Sequence, residues 1–140
     1  MVKRLVHIGL TVSDLGNMVD FYTKVLGLTV GGETPHPRGG TIVFLNGADG
    51  EAIEMIRYDN PKPPEGRDRL RTGLHHFGLL VDDIEKEYER LKALGVEFDG
   101  TIKVNTSNDL AVHFWDPEGN RIHLTQIAGQ GLSPARSIVR

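Results

Sequence analysis

The stretch Leu5-Val6-His7-Ile8-Gly9-Leu10-Thr11-Val12-Ser13-Asp14-Leu15 has a counterpart at Leu74-His75-His76-Phe77-Gly78-Leu79-Leu80-Val81-Asp82-Asp83-Ile84. His7 aligns with His76, Gly9 with Gly78, Val12 with Val81 and Asp14 with Asp83, at an offset of 69 residues. The same offset carries Gly50 onto Gly119, Ile53 onto Ile122, Glu54 onto His123 and Met55 onto Leu124. One register that matches both ends of two segments marks an internal duplication rather than a chance likeness between short strands.

Each half reads as strand, helix, then further strands. Residues 4–12 alternate, with Val6, Ile8, Leu10 and Val12 on the face expected to pack on a helix and His7, Gly9 and Thr11 on the other. Ser13 or Asp14 then caps a helix carrying Leu15, Met18, Phe21, Tyr22, Val25 and Leu26 at helical spacing, with Gly27 as its stop. The second half repeats this with Asp82 or Asp83, then Ile84, Tyr88, Leu91, Leu94 and Gly95. Later strands are expected at 41–46, 52–57, 110–115 and 121–127, with turn chemistry at 47–50 and 116–120. The Pro-rich segment 59–73 reads as an irregular linker, and Glu33 to Gly40 as a loop. The fold class is therefore α+β: two βαβββ modules joined by a linker. A single domain over 1–140 is expected, with module one about 4–58, module two about 74–127 and a tail at 128–140.

Bulk composition narrows the function. The 140 residues are 39% hydrophobic and 25% charged with a formal net charge of -3, so no basic footprint for a nucleic acid exists. No apolar run is long enough to span a bilayer and no signal-peptide pattern opens the chain, so a cytoplasmic protein without membrane association is expected. Cysteine is absent, which leaves His, carboxylates and amides for any metal.

Four polar residues interrupt apolar strands at repeat-equivalent positions: His7 with His76, and Glu54 with His123. A carboxylate within a buried strand is costly unless it is protonated or paired with a cation, and a divalent metal favours the deprotonated carboxylate and neutral imidazole. A lone strand histidine is more often a satisfied structural residue, and Glu54 alone can be an exposed residue paired with Arg57. Four metal-capable side chains related by a pseudo-twofold axis favour a site instead. Imidazole plus one carboxylate suits Zn, Ni, Co, Mn or Fe(II) rather than an all-oxygen Ca or Mg cage.

The run from His7 through Val12-Ser13-Asp14-Leu15 to Asp20-Phe21-Tyr22-Thr23-Lys24-Val25-Leu26-Gly27-Leu28 resembles the opening of bacterial glyoxalase I. His76-Phe77-Gly78-Leu79-Leu80-Val81-Asp82-Asp83 and Asp116-Pro117-Glu118-Gly119-Asn120-Arg121-Ile122 resemble the second-module motifs of the vicinal oxygen chelate superfamily. That superfamily includes glyoxalase I, methylmalonyl-CoA epimerase, fosfomycin-resistance proteins and extradiol dioxygenases. The resemblance implies curved mixed sheets around a central metal site, with His7, Glu54 and His76 as ligands. It implies His123 as the fourth, where most metal-binding members carry Glu.

It further implies an enzyme, a metal-dependent lyase or isomerase whose small substrate chelates one divalent ion through vicinal oxygens. Glu54 is the base expected to move the proton. The alternatives are an Fe(II)- or Mn(II)-dependent extradiol-type ring-cleaving dioxygenase, and a non-catalytic binder of the bleomycin-resistance type. A homodimer is the assembly the resemblance implies. The loop Glu33 to Gly40 does not match the residues that hold the thiol conjugate in glyoxalase I. His36, Arg38, Arg67, Arg69 and Arg71 read as solvated loop charges or as screens for an anionic substrate. His75 is expected on the opposite face from His76 as a structural residue. Strand alternation leaves the side of His113 undecided, and it is not named a ligand. Trp115 reads as a core or pocket-wall aromatic.

Overall fold

The computed structural model describes residues 1–128; residues 129–140, most of the expected tail, lie outside the described residues. The chain divides into two compact units, Met1–Glu65 and Gly66–Arg140, with the division inside the expected linker.

In the first unit, β1 (Ile8–Thr11) is followed by α1 (Leu15–Asp20), β2 (Thr29–Pro35), β3 (Thr41–Gly47) and β4 (Gly50–Arg57). In the second, β5 (Phe77–Leu80) is followed by α2 (Ile84–Ala93), β6 (Phe98–Val104), β7 (Leu110–Trp115) and β8 (Arg121–Gln126). The two sheets share one topology, β1-β4-β3-β2 and β5-β8-β7-β6. In each, the first strand runs parallel to the last and the other pairings are antiparallel. This is the α+β, two-module βαβββ architecture expected.

Local chemistry starts both helices alike. Asp14 Oδ1 accepts from the Asn17 N–H at 3.0 Å, and Asp83 Oδ1 from the Lys86 N–H at 3.0 Å. Each thereby satisfies one of the amides that a helix start leaves without an intrahelical partner. Gly27 and Gly95, at φ 80° and 84°, provide the left-handed residues after the helices. The first helix is not uniform, because Phe21–Val25 winds as a π-helical turn in which the Thr23 hydroxyl donates to the Val19 carbonyl at 2.7 Å. Core residues alternate as strand geometry requires. Ile53 and Met55 of β4 are buried on either side of Glu54; Ile122 and Leu124 of β8 are buried on either side of His123.

The expectations fail in three places. The first strand begins at Ile8, so Val6 is exposed while Leu10 and Val12 enter the core. Leu94 ends α2 as an exposed residue. The expected loop at 33–40 is strand as far as Pro35, because β2 pairs with β3 across a bulge between Val30 and Gly32. No helix among the described residues is long and apolar enough to cross a membrane.

Candidate metal centre

His7 sits immediately before β1, and the parallel register sets Gly9 beside Glu54 on β4. The His7 Nε2 atom lies 3.3 Å from Glu54 Oε2, while Nδ1 lies 3.0 Å from Glu51 Oε1. Both nitrogens of one imidazole are therefore faced by carboxylates. Glu54 retains 22% side-chain exposure, so it is a half-buried, paired carboxylate rather than an isolated buried charge. Its partner is not Arg57, whose Nε donates to the Ser13 carbonyl at 3.3 Å. Glu51 was absent from the sequence-based set because it lies next to the β3–β4 turn, where alternation carries no information.

The second unit repeats the pair and adds a different third member. His76 precedes β5, and Gly78 of that strand pairs with His123 of β8. The His76 and His123 rings lie 4.6 Å apart, centroid to centroid. His113 of β7 stands directly across the antiparallel ladder from His123, with its ring 5.1 Å from His123 and 5.3 Å from His76. Residues opposite one another on adjacent strands share a face, so His113 belongs to the cluster and strand register removes the ambiguity left by alternation. The signal was in the turn. Asp116 is buried; its Oδ1 accepts from the amides of Glu118 (3.0 Å) and Asn120 (2.9 Å), and its Oδ2 from Asn120 Nδ2 (2.8 Å). That turn pairs Trp115 with Arg121, and two residues inward His113 meets His123.

His75 departs from expectation as well. It and His76 both precede the strand, so strand alternation does not separate them, and their Nδ1 atoms lie 2.7 Å apart. One ring must donate and the other accept. Such a bond fixes the His76 tautomer in the way a second-layer partner orients a metal-ligating imidazole.

The four candidate residues thus meet as two pairs, His7 with Glu54 and His76 with His123, each pair within its own unit. One donor atom from each of His7, Glu51 and Glu54 lies within 4.8 Å of the others, and the same holds for His76, His113 and His123. These imidazole nitrogens and carboxylate oxygens suit a borderline divalent ion such as Zn, Ni, Co, Mn or Fe(II), whose Zn–N bonds are about 2.0–2.1 Å. Gly78 adds a structural mark of the site: a Cβ there would collide with the imidazole of His123. The residues fit the group.

Electrostatics disfavour protonation of His76 and His113. Burial, then Arg121, then the neighbouring imidazoles push His113 down to about 4, against a smaller upward pull from Asp99. Burial, then His75 and Arg121, hold His76 below the usual imidazole value. A histidine depressed in the folded state takes up its proton in the unfolded chain first. The metal-free protein should therefore gain stability with rising pH between about 4 and 6.5 and lose it as pH falls through that window. NMR titration of the His113 ring protons, alongside urea unfolding at each pH, checks both; a His113 midpoint at 6.5 would contradict the assignment.

The flanking cations are largely engaged. The Arg121 guanidinium donates to Asp99 Oδ2 at 2.8 Å and lies 5.7 Å from the Trp115 ring, holding the Asp99 carboxyl below the usual carboxylate range. Arg67 pairs with Glu97 at 2.6 Å and Arg69 with Asp99 at 3.5 Å. His36 stacks edge-on against Tyr58, and its Nδ1 accepts from the Arg38 amide at 3.0 Å. Trp115 is half-buried against these arginines.

Comparison with known proteins agrees with this architecture. The chain is 32% identical to the glutathione transferase FosA of Serratia marcescens, over 89% of this chain and 81% of that protein. It is 30% identical to the lactoylglutathione lyase of Escherichia coli O157:H7, over 92% and 98% of the two chains. The glyoxalase family protein from Enterococcus faecalis shares the fold, with a TM-score of 0.72, 24% identity, and coverage of 88% of this chain and 97% of that one. Residues 4–124 match the family model itself. The chain belongs to the glyoxalase/bleomycin resistance protein/dioxygenase superfamily.

Proposed function

We propose that this protein is a metal-dependent lyase or isomerase of the glyoxalase type, in which His7, Glu54, His76 and His123 serve one divalent ion. The observation that carries the reading is the joining, in each unit, of repeat-equivalent donors from just before the first strand and from the last. Near-complete coverage of the lactoylglutathione lyase chain supports the reaction class. We infer a cytoplasmic homodimer, the ligands being drawn from both modules. Mixing His7→Ala and His76→Ala chains should then restore metal binding only if the site is shared between copies.

The ion would supply Lewis acidity toward two adjacent oxygens of a small substrate such as a hydroxyketone. The chain's own groups do the rest. A neutral imidazole at His76, depressed by burial, His75 and Arg121, binds without first giving up a proton, and His123 joins it from β8. Glu54, a carboxylate beside His7, accepts the proton from the carbon next to the substrate oxygen and returns it to the neighbouring position. His7, hydrogen-bonded through its other nitrogen to Glu51, orients that carboxylate.

The test is solvent-deuterium incorporation by the Co(II)- or Ni(II)-loaded protein across a panel of α-hydroxyketones and hemithioacetals. Glu54→Gln should retain most of its metal and lose about 10²–10⁴-fold in exchange rate. Unchanged exchange in that variant would remove Glu54 as the base. Oxygen consumption with catechols, in place of exchange, would instead point to ring cleavage.

A further inference from the structure

We infer that His113 is a metal ligand, and that His76, His113 and His123 form a three-imidazole site complete within the second module. This rests on the proposed metal dependence and alters the ligand set: it adds a residue whose repeat counterpart, Phe44, is no donor.

The duplication makes the case. Applying the 69-residue offset, the first-module residue matching His113 is Phe44, and the second-module residue matching Glu51 is Asn120. The structure bears this correspondence out, since Phe44 pairs with Glu54 as His113 pairs with His123. Each module therefore builds its third donor from a different place. In the first module the third donor is a carboxylate, and it closes on the imidazole already facing Glu54. His7 there has a carboxylate oxygen at each nitrogen, so a metal must displace one of them. In the second module the three members are all imidazoles, and no carboxylate is among them.

Three strands hold the trio in place. His123 and His113 are fixed by direct pairing of β7 with β8, and His76 by the parallel pairing of β5 with β8. The rings form a near-equilateral triangle with sides of 4.6, 5.1 and 5.3 Å. His75 engages Nδ1 of His76 and leaves Nε2 for ligation. Gly78 leaves the space in which the His123 ring lies. Three imidazoles on a rigid sheet, with a remaining coordination position for water or substrate, match the ligand count of a catalytic rather than a structural zinc site.

The experiment uses the full chain and Co(II), whose visible spectrum reports coordination, with Zn(II) competition for affinity. The His7→Ala/Glu54→Ala double variant should still bind one Co(II) per chain. Adding His113→Phe, which copies the side chain of the other module and preserves an aromatic packing volume, should then weaken binding at least 100-fold. His113→Gln guards against misfolding, and unchanged far-ultraviolet circular dichroism is required of each variant. Loss of all binding in the double variant, with the wild type still binding, overturns the inference and leaves the four-ligand reading standing. Unchanged affinity on then replacing His113 overturns the inference as well, and removes His7 and Glu54 as required ligands with it. A wild-type chain that binds no Co(II) overturns both.

Discussion

Replacing Gly78 with alanine should lower divalent-ion affinity about 100-fold, while the same change at Gly9 should leave it unaltered. The two glycines occupy matching repeat positions, each beside the donor on the last strand of its sheet. Neither has a positive φ, so backbone conformation tolerates alanine at both. Space separates them. A Cβ at Gly9 meets nothing within 4 Å, but a Cβ at Gly78 would lie 2.6 Å from His123 Cδ2 and closer still to Nε2. The imidazole must then swing out of the cluster, and even indirect disruption of ligand orientation costs about 10- to 100-fold in affinity. The accompanying loss of stability should be about 1–3 kcal/mol, the usual cost of overpacking. Isothermal titration with Zn(II) on both variants measures the contrast. Equal affinities would mean that His123 is not held as a ligand.

Asp116→Ala should be the most destabilising single change near the site, by about 3 kcal/mol in urea unfolding. Its carboxylate is buried and accepts from two backbone amides and the Asn120 side chain. Hydrogen bonds to a charged group contribute about 1.5–3 kcal/mol, and leaving buried donors unsatisfied costs about 1–3 kcal/mol more. The effect on the metal follows from register. The Asp116 turn aligns Trp115 with Arg121, and through that alignment His113 with His123. A slip of one residue would send one of the two histidines to the other face of the sheet. The variant should therefore lose ion affinity together with stability, whereas Asn120→Ala, which keeps both backbone bonds to Asp116, should lose little of either.

Much of this was legible in the sequence because the duplication repeats its boundaries. The capping aspartates, the stop glycines and the four strands nearest the site all fall at matching positions. β2 and β6 are implied by the βαβββ pattern but are not placed by the sequence, for a physical reason. Both are edge strands of their sheets, and both are mostly exposed and interrupted by bulges. Gly31, Gly32, Pro35 and Gly100 further dilute their strand character. No apolar alternation is needed on a solvated strand, so none was written. The candidate positions His7, Glu54, His76 and His123 were readable from the offset, which matches His7 to His76 and Glu54 to His123. His113 and Glu51 were not, because the offset maps them onto Phe44 and Asn120. Their positions repeat but their side chains do not, so only the strand register reveals His113, and only the contact with His7 reveals Glu51.

The central claim is that this chain holds one divalent ion on imidazoles of the second module. Metal analysis of full-length protein, stripped with chelator, reloaded with Zn(II) and dialysed, followed by X-ray absorption at the zinc edge, tests it most directly. The expected result is one zinc per chain, with a first shell of nitrogen and oxygen at about 2.0–2.1 Å and the multiple scattering of at least two imidazoles. A chain that returns from dialysis without zinc, or one that keeps it after His76 and His123 are both replaced by alanine, would contradict the account.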